Sequence, residues 1–266
     1  HDERIYKKIE ADMNDVLYDT MKEKGITLKT NAEVSSVNGL KLNLKNGETL
    51  HAPLIISAIG IAPNTDFLKS SAINLTENGL IPINECGQTN IPNIYALGDA
   101  VETFYQHYPS LKVQSTLSWP AHRLAHIIAN QIFGDKSIKH EGLLSTNIVK
   151  FFDNAVASLG LSEKEVLDIP HFVVDQKQKN KSGYMSTSVP IHIKMYVEKD
   201  SGKILRAAVV GTEGVDKRID VLASHLILGG SAFDLINIEI AYAPPFSSPK
   251  DVINMLGYKA IEKAKE

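Results

Sequence analysis

The sequence is short of thiols, with one cysteine, Cys86, in 266 residues. A disulfide framework is thereby excluded, and so is a zinc site built on paired cysteines. The nine histidines show no ligand spacing, so no metal centre is expected. An excess of either charge is also missing. Lys and Arg number 28 against 31 Asp and Glu, a net charge of -3, and nothing in that balance calls for nucleic acid or an acidic membrane surface. Apolar runs such as residues 53–59 are far too short to span a bilayer, and no membrane partner is expected. Residues 1–8 are charged and no apolar stretch follows them, so no secretory leader is expected. What is present is 43% hydrophobic residues, enough for a real core, in a length that suits roughly one to two domains. A soluble chain in a reducing, cytoplasmic setting is the expectation.

The hydrophobic pattern divides the chain by texture. Ile9, Met13, Val16, Leu17 and Met21 recur at helical spacing, with Gly25 as the stop. Strands are predicted over residues 26–30, 32–37, 40–45 and 48–52, the last two joined by an Asn46-Gly47 turn. Residues 54–59 are continuously apolar, which predicts a strand buried on both faces. Short strands are predicted over 80–83 and 94–97, then a helix over 117–133 with Pro120 in its first turn and Gly134 past its end. From residue 147 onward the texture becomes α+β. Strands are predicted over 147–153, 155–159, 171–176, 191–198 and 203–211, followed by helices over 215–228 and 232–237. Ile191, Ile193, Met195 and Val197 alternate with His192, Lys194 and Tyr196, the pattern of a half-buried antiparallel strand.

Several stretches carry chemistry. Residues 94–97 run into Gly98-Asp99-Ala100. A glycine there lets a ligand approach the backbone, and the carboxylate can accept hydrogen bonds from a polyol at the edge where α/β sheets bind ligands. A turn aspartate after a core strand reads equally well from these residues alone. Residues 56–65 are an apolar strand, then Gly60 and a Pro63-Asn64 turn. Leu117-Ser118 opens a helix whose free N–H groups and positive dipole end suit an electron-rich partner. Lys250 follows Pro249 at an expected helix start, a place for an anion, although a surface lysine explains it too.

Taken whole, Asn90-Ile91-Pro92-Asn93-Ile94-Tyr95-Ala96-Leu97-Gly98-Asp99-Ala100 resembles the second flavin motif of the FAD-dependent pyridine nucleotide-disulfide oxidoreductases. Residues 56–65 resemble the strand and loop that close that family's NAD(P) domain, and the two motifs stand in the family's order. Residues 206–220 are similar to its dimerisation domain. Residues 241–251 and 254–258 resemble the branch that holds the coenzyme A-disulfide reductases and their oxidase relatives, and residues 121–123 and 147–153 support that branch. The likeness covers essentially the whole chain.

The resemblance implies FAD and NAD(P)H as cofactors, with Asp99 on the ribityl chain, Gly98 and Ala100 cofactor-binding beside it, Leu117 and Ser118 near the isoalloxazine and Gly60 near the nicotinamide nucleotide. It implies a homodimer in which Tyr184 and Tyr242 reach across to the partner's disulfide site, where a phenol can donate to a departing thiolate. Interface packing is the plainer role for both tyrosines. His122 and Lys250 would contact coenzyme A, whereas Arg123 reads as a solvated helix face and Cys86 as an incidental structural thiol. The family's two G-x-G-x-x-G fingerprints and its redox cysteine are not in this sequence. The chain therefore reads as the C-terminal part of such a reductase, short by roughly 150–200 residues. The expected fold is α/β, with partial NAD(P)- and FAD-binding Rossmann-like segments over residues 1–72 and 73–142 and an α+β dimerisation domain over 143–266. The expected activity of the whole is NAD(P)H-dependent reduction of coenzyme A disulfide. An NAD(P)H oxidase reducing dioxygen and a non-catalytic dimerisation module are the alternatives.

Overall fold

The helical spacing at the start of the chain folds as a 3-10 turn, Ala11–Met13, followed by helix α1, Asp15–Glu23. Ile9, Met13 and Leu17 form one buried cluster with Val156, Ala208 and Val210, so this first helix is fixed by a sheet more than 130 residues further along the chain. The computed structural model describes residues 4–266; residues 1–3, the start of the first expected segment, lie outside the described residues. Three short antiparallel strands follow, β1 (Val34–Asn38), β2 (Lys41–Leu44) and β3 (Thr49–His51). Gly47 makes the expected turn between the last two, at φ +89 with its N–H on the Leu44 carbonyl.

Two expected strands do not form. Residues 26–30 and 54–59 lack ladder partners, and Leu54, Ile56 and Ile59 are 72, 80 and 95% exposed. A strand apolar on both faces needs a neighbour on each side and a layer over each face. No strand among the described residues pairs with this one.

Next come β4 (Ile81–Pro82), β5 (Val101–Tyr105) and β6 (Tyr108–Val113). They make a three-stranded sheet, parallel between β4 and β5 and antiparallel between β5 and β6. The strand expected over 94–97 is reduced to one bridge, Gln88 to Tyr95. The apolar alternation that is buried lies after the glycine, at Val101, Thr103 and Tyr105. The Gly98-Asp99-Ala100 turn therefore leads into a strand instead of ending one. Helix α2, Ser118–Phe133, forms as expected and buries Leu124, Ile127 and Ile128.

The remaining elements are β7 (Asn147–Phe151), β8 (Asn154–Gly160), α3 (Glu163–Leu167), β9 (His171–Lys179), β10 (Pro190–Glu198), β11 (Ile204–Gly211), α4 (Val215–Ile227) and α5 (Val252–Lys263). The strands form one antiparallel sheet in the order β7-β8-β11-β10-β9. Helix α4 packs on β8 and β11, and α5 on β9 and β10. Residues 232–237 are 3-10 and not α-helical. On β10, Ile191, Ile193, Met195 and Val197 are buried, as the alternation requires. The opposite face is not left to solvent. Lys194 donates to both carboxylate oxygens of Asp12 (2.6 and 2.7 Å), and Arg206 Nε to Glu10 (2.7 Å), so residues 10–12 cover it with ion pairs.

The chain divides into two compact units, His1–Ile59 with Asn147–Glu266, and Gly60–Thr146. Among the described residues no helix is long and apolar enough to cross a membrane. The architecture is a mixed α/β fold, with a five-stranded antiparallel sheet carrying helices in the C-terminal part.

Candidate functional site

In the unit Gly60–Thr146, the turn at Gly98 and the start of α2 are brought together. The Gln114 side-chain amide donates to the Asp99 backbone carbonyl at 2.7 Å. Gly98, Ser115, Pro120, Ala121 and His140 line one small cavity of about 10 Å³. Gly98 sits at φ +86, which a side chain rarely adopts, and a Cβ there would meet nothing within 4 Å. The backbone is thus open to a ligand. The Asp99 side chain is exposed and lies at an open face, not in an enclosed cleft. Leu117 caps α2 without a side-chain hydrogen bond, so the first-turn N–H groups are not taken by a cap. Gly60 is likewise at positive φ (+109) with open space beside it. His122 is exposed on α2, and Arg123 lies 3.8 Å from Glu141.

His140 is a residue the sequence did not single out. It is buried, its Nε2 meets Thr103 Oγ1 at 2.7 Å, and its Nδ1 has no partner. Burial, with the Arg123 charge adding to it, lowers its pKa from 6.5 to about 4. An unfolded chain therefore takes a proton that the folded chain refuses, and stability is lost as pH falls from about 6.5 towards about 4. Melting temperatures across that window should fall less steeply in His140→Gln than in the unaltered chain; parallel slopes would contradict this assignment.

In the other unit, Tyr184 and Tyr242 are 76 and 50% exposed, on two loops that touch. Ser182 N donates to the Ser247 carbonyl at 3.1 Å. Lys250 lies 5.4 Å from the Tyr258 ring centroid, and its carbonyl accepts from Gln178 at 3.3 Å. The helix start it precedes is already capped, because the Asp251 carboxylate accepts from Ile253 N and Asn254 completes a capping box. An anion there would meet the Lys250 ammonium and not free helix N–H groups.

Beneath these loops is a network that the sequence reading missed. Arg218 Nη2 donates to Asp251 Oδ2 (2.5 Å) and to the Asn180 carbonyl (2.7 Å), Nε to Asp251 Oδ1 (3.3 Å) and Nη1 to the Gly214 carbonyl (3.2 Å). Ser247 Oγ donates to Asp251 Oδ2 at 2.7 Å. Burial works against the charge on Asp251, but the hydrogen bonds and charge of Arg218, helped by Ser247 and the Ile253 N–H, outweigh it and hold the carboxyl below its ordinary range. The signal was available: Arg218 lies three residues after Val215 and four before Leu222, on the buried stripe of α4.

Asp12, Asp175 and His192 bring ligand atoms within 4.8 Å of one another. The Lys194 ammonium already sits on Asp12 and lies 3.5 Å from Asp175, supplying the positive charge those carboxylates need.

Two family models match the chain. That of the pyridine nucleotide-disulphide oxidoreductases covers residues 1–117, and that of the same family's dimerisation domain covers residues 146–252. The chain belongs to the pyridine nucleotide-disulphide oxidoreductase family. It is 45% identical over 256 residues to the coenzyme A disulfide reductase of Staphylococcus epidermidis, a match covering 96% of this chain and 58% of that relative. The chain thus spans under two thirds of the length of the curated relatives it matches. Among solved structures it is similar to the reduced CoADR-RHD of Bacillus anthracis, with TM-score 0.94, 35% identity and coverage of 98% of this chain and 48% of that one. It is also similar to an NAD-dependent persulfide reductase from A. fulgidus, with TM-score 0.91, 27% identity and coverage of 99% and 50%. The cofactors of this oxidoreductase family are FAD and NAD(P)H. The residues of the Gly98 turn fit a ribityl chain by their chemistry: an open glycine backbone, an exposed acceptor and an uncapped helix start beside them.

Proposed function

We propose that this chain supplies the C-terminal part of a homodimeric, cytoplasmic flavoprotein that uses NAD(P)H to reduce coenzyme A disulfide, its redox cysteine lying on polypeptide outside this sequence. The likeness to the staphylococcal coenzyme A disulfide reductase carries this reading, since it runs through the Gly98 turn and both tyrosine loops. In this reading residues 1–72 belong to the NAD(P) domain, 73–142 to the FAD domain and 143–266 to the dimerisation domain.

FAD held at this turn would supply the two-electron redox chemistry. The chain's own residues bind and orient. Asp99 accepts hydrogen bonds from the ribityl hydroxyls, and Gly98 and Ala100 let the backbone come close. The N–H groups that follow Leu117 and Ser118, at the positive end of α2, would stabilise negative charge on the ring system. Gly60 leaves room for the nicotinamide nucleotide. Tyr184 and Tyr242, presented to the partner subunit, donate hydrogen bonds to the thiolate that leaves when the disulfide opens. His122 and Lys250 hold coenzyme A through its phosphates.

Turnover of the polypeptide made from the complete reading frame is the test. Oxidation of NADH or NADPH should be fast with coenzyme A disulfide and slow with dioxygen alone. Oxidation with dioxygen but not with the disulfide would replace this substrate with oxygen. The present chain alone should be colourless and inactive; a yellow preparation at its mass would contradict the need for further polypeptide.

A further inference from the structure

We propose that the buried Arg218–Asp251 pair is a positioning clamp that locks the Tyr184 loop and the Tyr242 loop into one arrangement. The inference rests on the reading above, in which both tyrosines act at the disulfide. Each loop has hydrogen bonds of its own, with Asn180 Oδ1 accepting from Val189 N at 3.0 Å across the first and the Ala243 carbonyl accepting from Phe246 N at 2.9 Å in the second, but these do not join one loop to the other. Both tyrosines are exposed, and so is Phe246 beside the second. What holds their roots is polar. Arg218 reaches the Asn180 carbonyl, four residues before Tyr184. Asp251 takes the Ser247 hydroxyl, five residues after Tyr242. Ser182 closes the circuit with its N–H on the Ser247 carbonyl at 3.1 Å and its hydroxyl at 3.3 Å.

The guanidinium is suited to this because its planar fork serves several acceptors at fixed angles. Here it serves the Asp251 carboxylate and the Asn180 and Gly214 carbonyls at once. A lysine cannot reproduce that geometry. Gly214 is part of the same device. It precedes α4 at φ +77, and a Cβ there would lie 2.2 Å from Arg218 Nη1. Any side chain at this position would push the fork off its acceptors. A buried ion pair is weak support for a stability role, and these connections run to the roots of the two loops, so position is the role they favour.

The test uses the chain with fluorotyrosine incorporated, the Tyr184 and Tyr242 fluorine resonances being assigned by Tyr→Phe variants. Arg218→Lys should move or broaden both resonances by more than a linewidth. Ser247→Ala, which leaves the ion pair intact, should do the same. Gly214→Ala should do so without altering any charge. Arg206→Lys is the control. It weakens another buried pair, whose partners Glu10, Lys8 and Leu161 lie in neither loop, and it should leave both resonances in place. If Arg218→Lys does not fold, Ser247→Ala decides. Unchanged resonances in the clamp variants, or equal changes in Arg206→Lys, would overturn the proposal. The readout needs no turnover, so its failure is distinct from failure of the coenzyme A disulfide reading, which turnover with the disulfide against dioxygen decides.

Discussion

Asp251→Ala should lower the stability of the antiparallel-sheet unit by about 3–5 kcal/mol, the cost of removing one partner from a buried ion pair. The size follows from what is left behind. Arg218 would keep its charge in a buried site with only two carbonyls to satisfy it. Ser247 would lose its acceptor, and α5 its N-cap, worth about 1 kcal/mol more. These losses share one network and will not simply add. Urea unfolding of the chain followed by circular dichroism measures the change. Glu163→Ala is the contrast, since its partner Arg4 and the carboxylate are both partly exposed, and its loss should cost at most about 1 kcal/mol. The Asp251 effect also has a sign in pH. A carboxyl held below its ordinary range contributes stability above its unfolded pKa and loses it as pH falls through the folded pKa. The gap between Asp251→Ala and the unaltered chain should therefore narrow in acid. A loss under 1 kcal/mol at neutral pH would contradict a buried Arg218 left without its carboxylate partner.

Tyr242→Phe, in the complete reductase proposed above, should slow disulfide turnover by about a hundredfold or more, the lower range for loss of a positioned proton donor. The reductive half, from NAD(P)H to the flavin, should keep its rate because the phenol acts only when the sulfur leaves. Stopped-flow absorbance separates the two halves. Equal slowing of both would assign Tyr242 to the structure of the interface, as its half-exposed ring in the isolated chain would also allow.

The sequence was legible wherever periodicity and local turn chemistry decide the outcome. The strand at residues 190–198 follows from the alternation of residues 191–197, and α2 follows from its own boundary signals at Pro120 and Gly134. Where a strand depends on neighbours, sequence was a poor guide. Residues 54–59 have the composition of a core strand but no ladder among the described residues. Residues 94–97 look like the strand that the buried alternation shows to be residues 101–105. The proposed site was legible as motifs because Gly98, Asp99 and the start of α2 are close enough in sequence to be read together. The Arg218–Asp251 clamp was not, since its members lie 33 residues apart and their pairing is a tertiary fact. The polar side chains of β10 also misled. Lys194 is paired with Asp12 near the N-terminus and His192 with Asp175 on β9, charge pairing that strand alternation cannot express.

The most direct measurement is the flavin content of the complete protein carrying Asp99→Ala. In the proposed reading Asp99 would be the one charged acceptor this turn offers the ribityl chain, and a charge-assisted hydrogen bond of about 1.5–3 kcal/mol corresponds to roughly a 10- to 100-fold loss of FAD affinity. Purified unaltered protein should hold stoichiometric FAD by absorbance, and Asp99→Ala should lose most of it on gel filtration while keeping its fold. Full retention of FAD by Asp99→Ala would contradict the account.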